Sequence, residues 1–151
     1  MITYQKRFIS EIKEDLLPLL EKHKEEVAVY DFFSLNVMWD VYESAEDAGD
    51  FVCYTAEDDG TIIGYVAYFI SEAVHYADEV YAVMDVIFLD EAYRHSPVSR
   101  ELMQYAEEEL RRCFNITMLT IHMKVWLTFK QLADDLGYDL KELMYTKYVG
   151  G

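Results

Sequence analysis

Two pairs of residues in this sequence have side chains suited to proton transfer. His75 is followed by Tyr76 near the end of a β-prone run, and His122 alternates with Lys124 in another such run. An imidazole changes its charge between about pH 5 and 8, so it can act as an acid or a base near neutrality. Both pairs are therefore candidate catalytic groups. The alternative for each histidine is a structural role, with its ring satisfied by hydrogen bonds.

Metal binding is not indicated by the residue spacing. The four histidines lie in separate predicted elements and form no His-X-X-X-His or Glu-flanked pair of the zinc type. The acidic runs Glu43 to Asp50 and Glu57 to Asp59 lack the ligand order of a calcium loop. Cys53 and Cys113 each stand alone, and we expect both to be buried thiols.

The composition excludes several classes of protein. The 151 residues include 13 Lys and Arg against 29 Asp and Glu, for a net charge of −16, so direct binding to nucleic acid is not expected. A chain that is 52% hydrophobic is too apolar for a disordered acidic tail. The longest uncharged apolar run, Ile62 to Ile70, is about half the roughly 20 residues that a membrane helix needs. Since no apolar run follows the first basic residues, we expect a cytoplasmic protein.

We expect one domain, residues 1–151, because the chain has no repeat, linker or low-complexity tract. This domain must position the candidate residues. Alternating and β-prone runs predict strands, whereas apolar residues three and four apart predict helices. Asp58-Asp59-Gly60 is a turn signal between two strands and indicates a hairpin. The predicted strands cover 2–9, 50–56, 62–70, 79–89, 116–123 and 143–149. The predicted helices cover 31–48, 97–112 and 126–136, and a further helix begins after Ser10 and bends at Pro18.

The resulting order is βααβββαβαβ. It predicts an α/β (α+β) fold with a mixed, mostly antiparallel central sheet and helices on both faces. This order resembles the GNAT superfamily of acyl-coenzyme A dependent acetyltransferases. Residues 85–103 look like that family's strand, pyrophosphate loop and helix start, and Arg94 stands where the family has an Arg or a Gln.

The chain also resembles small acetyltransferase-like proteins of phages and prophages over nearly its whole length, which would place it in the host cytoplasm. The segments that carry this resemblance are 18–28, 75–76, 85–89, 122–124, 136–138 and 145–147.

The resemblance implies that acetyl-coenzyme A binds at the loop after residue 89. The N-terminus of a helix presents unpaired N–H groups and a positive dipole end, which suit a diphosphate. The edge of the preceding strand would pair with the pantetheine amides. The implied cofactor-binding residues are Ile87, Phe88, Leu89, Arg94, His95, Ser96, Val98, Ser99 and Arg100.

The chain departs from the family pattern at four positions. Pro97 and Ser99 replace two glycines of the loop, so one N–H donor is missing and a Cβ is added where space is tight. Ala133 stands where many members have a Tyr as general acid, and Trp126 where an Asn is common. These differences place the affinity for the cofactor and the identity of the acid in question.

Asp85 is the general base that the resemblance favours, because a carboxylate often lies in this strand of the family. The alternative is an aspartate that faces solvent. Tyr145, in the last predicted strand, is a candidate replacement for the missing acid. The predicted catalytic residues are Asp85, His75, Tyr76, His122 and Tyr145.

Two functions are compatible with these features. The first is transfer of an acetyl group from acetyl-coenzyme A to an amine of a cationic acceptor, such as a polyamine, an aminoglycoside or a Lys-rich protein. The second is a binding module that has lost catalysis and whose acidic surface engages a basic protein, including one that binds DNA. A homodimer is a further alternative. A V-shaped opening between the strands that lead to Arg94 and through Ile116 to Met123 would favour the enzyme.

Overall fold

A computed structural model describes residues 1–151 and contains one five-stranded sheet with the strand order β1-β2-β3-β4-β5. The first three pairs of neighbouring strands are antiparallel, and the last pair is parallel. The strands are β1 (Ile2–Arg7), β2 (Phe51–Asp58), β3 (Thr61–Glu72), β4 (Val80–Leu89) and β5 (Met118–Thr120). The predicted fold class, a mixed and mostly antiparallel sheet with helices, is confirmed.

Four α-helices accompany the sheet, and a short 3-10 turn over Glu91–Tyr93 follows β4. The first helix continues through Pro18 as one element. None of the helices is both long and apolar enough to cross a membrane. The helices are α1 (Ile9–Val27), α2 (Trp39–Asp47), α3 (Val98–Phe114) and α4 (Lys130–Asp135).

Helices cover both faces of the sheet, and this explains why β2 and β3 are buried along most of their length. On one face, Leu102 and Ala106 of α3 pack with Tyr68 of β3 in the larger core cluster. On the other face, Ile12 and Leu16 of α1 form the second cluster with residues of β2, β3 and β4. The sheet residues of the second cluster are Phe51, Cys53, Tyr65, Ala67 and Phe88.

The C-terminal third differs most from the sequence prediction. No strand forms over residues 143–149, β5 is only three residues long, and α4 starts at Lys130 rather than at 126. The reason is that a strand forms by backbone pairing with a neighbouring strand, and the residues after α4 pair with none of the strands of the sheet. They are instead attached through Tyr138, whose hydroxyl donates to Glu107 over 2.6 Å, and through Tyr148, whose N–H donates to the hydroxyl of Tyr30 over 3.1 Å.

The segment before α2 was predicted to be helical from residue 31, but the helix begins at Trp39. Aromatic packing holds these residues in an irregular conformation. The ring of Phe32 lies 5.3 Å from that of Tyr30 and 5.1 Å from that of Tyr148, measured between centroids. Contacts between distant parts of the chain therefore outweigh the local helical pattern.

The two cysteines differ in their surroundings. Cys53 is buried, as expected, and its burial raises the pKa of its thiol to about 12. The expectation for Cys113 is wrong, because this residue lies on the exposed side of α3.

Candidate functional site

A β-bulge interrupts β4 at Asp85. Ala67 of β3 pairs with Val86, but the next residue, Tyr68, pairs with Met84, so Asp85 has no partner on β3. An extra residue reverses the alternation of side chains between the two faces of a strand. Met84 accordingly packs in the cluster with α3, whereas Val86 packs against the cluster with α1.

Strands β4 and β5 separate shortly after they meet. Their pairing ends with Val83 opposite Thr120, while β4 continues to Leu89 without a neighbour on that side. A cleft of about 470 Å³ opens between the end of β4 and the residues that follow β5. We name it the β4–β5 cleft. The two segments therefore splay apart as the acetyltransferase hypothesis requires.

Five of the nine residues expected at the cofactor line the β4–β5 cleft, and the other four do not. Val98 is buried in the core, His95 is exposed, and Arg100 is paired with Asp135 of α4, with 2.8 Å between Nη2 and Oδ2. Ser96 is hydrogen-bonded within the loop, where its Oγ accepts a hydrogen bond from the N–H of Val98 over 3.4 Å. The five lining residues are Ile87, Phe88, Leu89, Arg94 and Ser99.

The N-terminus of α3 offers two backbone donors. The N–H groups of Ser99 and Arg100 donate no hydrogen bond within the protein. Pro97, just before the helix, has no N–H, and the N–H of Val98 is bound by Ser96. Two free donors beside the cleft suit an anionic group such as a phosphate, although they are fewer than a glycine-rich loop would offer.

Arg94 is held by three interactions at the mouth of the loop. Its Nε donates to the carbonyl of Leu89 over 2.8 Å, and its guanidinium lies 5.5 Å from the ring centroid of Phe88. Its Nη2 donates to both carboxylate oxygens of Glu26, at 2.6 and 2.8 Å. Glu26 also lines the cleft. The sequence contains no signal for this contact, because the two residues are 68 positions apart.

His122 stands in the wall of the cleft opposite the bulge. Its Nε2 lies 2.8 Å from the backbone carbonyl of Met84. Since a carbonyl can only accept, Nε2 carries the proton, and in the neutral ring Nδ1 keeps a lone pair. Lys124 lines the same cleft. The imidazole of His122 is therefore oriented with one nitrogen available as a base.

A second cavity, of about 300 Å³, lies between α1, α2 and the sheet. We name it the α1–α2 cavity. It shares four lining residues with the β4–β5 cleft, so the two spaces adjoin. At their junction the hydroxyl of Tyr42 donates to Oδ2 of Asp85 over 2.8 Å. Burial and this bond raise the pKa of Tyr42, so its hydroxyl keeps its proton. The shared residues are His23, Val27, Asp85 and Val86.

His23 is a site residue that the sequence analysis did not single out. It lies on α1, is 9% exposed, and its Nδ1 is 3.2 Å from the hydroxyl of Tyr65. Burial lowers the pKa of His23 to about 4, against the opposing effect of Glu26. The ring is therefore neutral at pH 7. In the sequence, His23 follows apolar residues of α1 at helical spacing, and this pattern is typical of a core residue rather than of a site residue.

Three predicted catalytic residues lie away from both cavities. His75 and Tyr76 are exposed in the loop between β3 and β4, at the opposite end of β4 from the cleft. Tyr145 is 92% exposed in the irregular C-terminal segment, because the predicted strand over residues 143–149 does not form. Asp85 and His122, in contrast, both line the β4–β5 cleft.

The arrangement can support proton removal from a nucleophile that lies between the two cavities. The carboxylate of Asp85 and the imidazole of His122 both line the cleft, and neither forms an ion pair. Either group can accept a proton from an attacking amine. The cleft and the free N–H groups of α3 provide a separate place for an anionic ligand.

Solved structures with the same fold are acetyltransferases. An aminoglycoside acetyltransferase from an uncultured soil metagenomic sample, in complex with sisomicin, has a TM-score of 0.77 and 11% identity over 99% of this chain and 95% of its own. Glucosamine-6-phosphate N-acetyltransferase from Arabidopsis thaliana has a TM-score of 0.75 and 14% identity over 99% of each chain. A predicted acetyltransferase from Clostridium acetobutylicum, with acetyl-coenzyme A, has a TM-score of 0.73 and 12% identity over 97% of this chain and 96% of its own.

No curated protein sequence matches the chain. The family model for acetyltransferases of the GNAT type matches residues 10–128, which include the bulge, the loop before α3 and most of the residues that line the cleft. The protein therefore belongs to the acetyltransferase (GNAT) family.

Proposed function

We propose that the protein transfers the acetyl group of acetyl-coenzyme A to an amine. In this proposal the coenzyme lies in the β4–β5 cleft, and the amine reaches it from the α1–α2 cavity. The observation that carries the proposal is that the two cavities meet at Asp85, where a bulge turns a carboxylate toward their junction.

The residues around the β4–β5 cleft fit the coenzyme. The free N–H groups of Ser99 and Arg100 are placed to bind its diphosphate. The edge of β4 from Ile87 to Leu89 has no neighbouring strand and can pair with the amides of its pantetheine arm. When bound, the coenzyme supplies a thioester whose acetyl group is transferred. The fit rests on fewer loop donors than usual in the family, since Pro97 has none.

Asp85 is the proposed general base. An amine attacks only in its neutral form, so its ammonium must first lose a proton. The carboxylate of Asp85 takes this proton, while Tyr42 holds the carboxylate in place through Oδ2. The free Nδ1 of His122 is the second candidate. A role for His75, Tyr76 or Tyr145 is not supported by their positions.

The acidity of the whole protein supports a positively charged acceptor. A net charge of −16 raises the local concentration of cations and speeds their encounter with the protein. One structural neighbour is an aminoglycoside acetyltransferase in complex with sisomicin, which supports a small-molecule acceptor.

Binding of acetyl-coenzyme A is the direct test. We expect the coenzyme to raise the melting temperature and to bind in calorimetry, because a ligand of the native state stabilises it. Ser99→Glu places a carboxylate beside the free N–H groups of α3 and should weaken binding without harming the helix. Ser10→Glu, which places the same charge in the first turn of α1, is the matched control. No thermal shift at millimolar coenzyme would contradict the proposal.

The binding-module alternative is favoured by one observation. Nε and Nη2 of Arg94 are bound by Leu89 and Glu26, so only Nη1 is left to bind a phosphate. In that case the acidic surface itself would engage a basic protein. A pull-down at low and moderate salt, with no basic protein retained, would exclude this second function.

A further inference from the structure

The α1–α2 cavity is almost entirely apolar, in contrast to the acidic surface around it. Aliphatic side chains of α1 and of the segment before α2 complete its walls, together with four aromatic rings. These rings belong to Trp39, Tyr42, Phe51 and Tyr65. Such a wall favours an apolar or aromatic ligand, and indole and phenol faces can also contact a cation.

Asp85 is the only carboxylate in the wall of this cavity. Tyr42 occupies Oδ2, and Oδ1 has no hydrogen-bond partner in the protein. One ammonium group can therefore be bound at Oδ1, at the junction with the β4–β5 cleft. This single carboxylate sets the number of positive charges that the cavity accepts.

The other ionisable groups of the wall add no negative charge, because burial raises the pKa of Tyr42, Cys53 and Tyr65 and all three keep their protons. His23 is neutral at pH 7 because it is buried. Lys24 lines the cavity, is half-buried, and forms no ion pair. The wall offers no carboxylate to a second ammonium on the ligand, so an ammonium bound against it would lose its hydration without compensation.

The size of the cavity limits the ligand further. With a volume of about 300 Å³, the cavity is at the lower end of the roughly 300 to 1,000 Å³ of small-molecule sites. A ligand with many hydroxyl or amino groups would leave several of them buried against apolar walls without hydrogen bonds. The cavity thus fits a small molecule with one polar end.

We infer that the acceptor is a small primary monoamine with one aromatic substituent, whose ring lies among Trp39, Tyr42 and Phe51 and whose ammonium is bound by Asp85. The inference rests on the proposed acetyl transfer. It narrows the acceptor from any cationic amine to this class. The net charge of the protein attracts all cations, and the cavity selects among them.

The test compares two amines by calorimetry with the whole protein, without coenzyme, and then measures release of coenzyme A from acetyl-coenzyme A. We expect 2-phenylethylamine to bind at least tenfold more tightly than spermidine and to be acetylated with the higher kcat/KM. Trp39→Leu should weaken binding of 2-phenylethylamine about tenfold and leave binding of acetyl-coenzyme A unchanged. Val41→Ala, at an exposed position of the same helix, is the matched control.

A second variant keeps the test decisive if Trp39→Leu does not fold. Val37→Asp adds a carboxylate to the half-buried wall of the cavity and should reverse the preference toward spermidine. Equal or tighter binding of spermidine by the unaltered protein would overturn the inference, and so would unchanged binding of 2-phenylethylamine to both variants. If 2-phenylethylamine binds in a Trp39-dependent manner but acetyl-coenzyme A does not bind, the ligand class stands and the transfer proposal fails.

Discussion

The guanidinium of Arg94 is bound by the carboxylate of Glu26 through two hydrogen bonds, of 2.6 and 2.8 Å. The pair joins the end of α1 to the loop after β4, beside the β4–β5 cleft. Both side chains are 29% exposed, so their interaction is screened less than that of an exposed pair. The protein thus places a negative charge in the wall of the cleft where we propose that the coenzyme binds, and this charge engages Nη2 of Arg94.

Replacement of Glu26 should therefore strengthen binding of the coenzyme. In Glu26→Gln the guanidinium keeps a neutral partner, and a charge that repels phosphate is lost. We expect the Kd for acetyl-coenzyme A in calorimetry to fall roughly threefold to tenfold, and the gain to shrink at high salt.

Glu25→Gln, at the exposed neighbouring position of α1, is the control for the change in net charge. A weaker affinity in Glu26→Gln would show instead that Glu26 is needed to hold Arg94 in a binding position.

Asp85→Asn should abolish most of the acetyl transfer while the coenzyme still binds. The amide retains a carbonyl oxygen for the bond from Tyr42 but cannot take a proton from the acceptor. Loss of a general base lowers kcat by roughly 10²- to 10⁴-fold. The measurement is kcat for release of coenzyme A together with the Kd for acetyl-coenzyme A, and Asp139→Asn at an exposed position is the control.

His122→Gln separates the two candidate bases. Its amide can still donate to the carbonyl of Met84, so the wall of the cleft is preserved. We expect a smaller loss of kcat than in Asp85→Asn. A larger loss would move the role of base from Asp85 to His122.

The buried ring of His23 should make the protein less stable in mild acid. Its pKa in the folded protein is about 4, whereas the ring titrates near 6.5 in the unfolded chain. Between these values the unfolded chain binds the proton more tightly, so this contribution is complete above about pH 6.5 and is lost as the pH falls toward 4. It amounts to about 3 kcal/mol.

The measurement is the free energy of unfolding in urea at several pH values between 7.5 and 4.5. His23→Phe should show a shallower decline than the unaltered protein, and His75→Asn, at an exposed position, should show the same decline. Identical pH profiles for His23→Phe and the unaltered protein would exclude His23 as the source.

Gly64→Ala should destabilise the end of β4 that forms the cleft. A Cβ at this position would lie 2.9 Å from the carbonyl oxygen of Phe88 and 2.8 Å from Cδ1 of Leu89. The backbone of β4 would have to shift, and overpacking of this kind costs about 1 to 3 kcal/mol. Urea unfolding measures the loss, and Gly151→Ala, where a Cβ meets nothing, is the control. An unchanged free energy of unfolding would contradict this prediction, because it would show that the backbone of β4 shifts here without cost.

Local patterns in the sequence predicted much of the fold. The turn at Asp58-Asp59-Gly60 joins β2 to β3, and both Asp59 and Gly60 have the positive φ of a tight hairpin turn. The apolar spacing after Pro97 predicted α3, whose buried residues form one side of the larger cluster. The predicted strand over 143–149 is absent because β-prone residues form a strand only beside a partner.

Three properties of the site follow from the sequence alone: the composition of the loop before α3, the missing N–H of Pro97 and the acidity of the chain. These properties depend only on which residues are present and in what order. Three other properties arise when the chain folds: Asp85 lies at a bulge, Glu26 binds Arg94, and the cavity beside them is apolar. Each of these depends on contacts between residues far apart in the chain, and the register of β3 on β4 and the packing of α1 decide them.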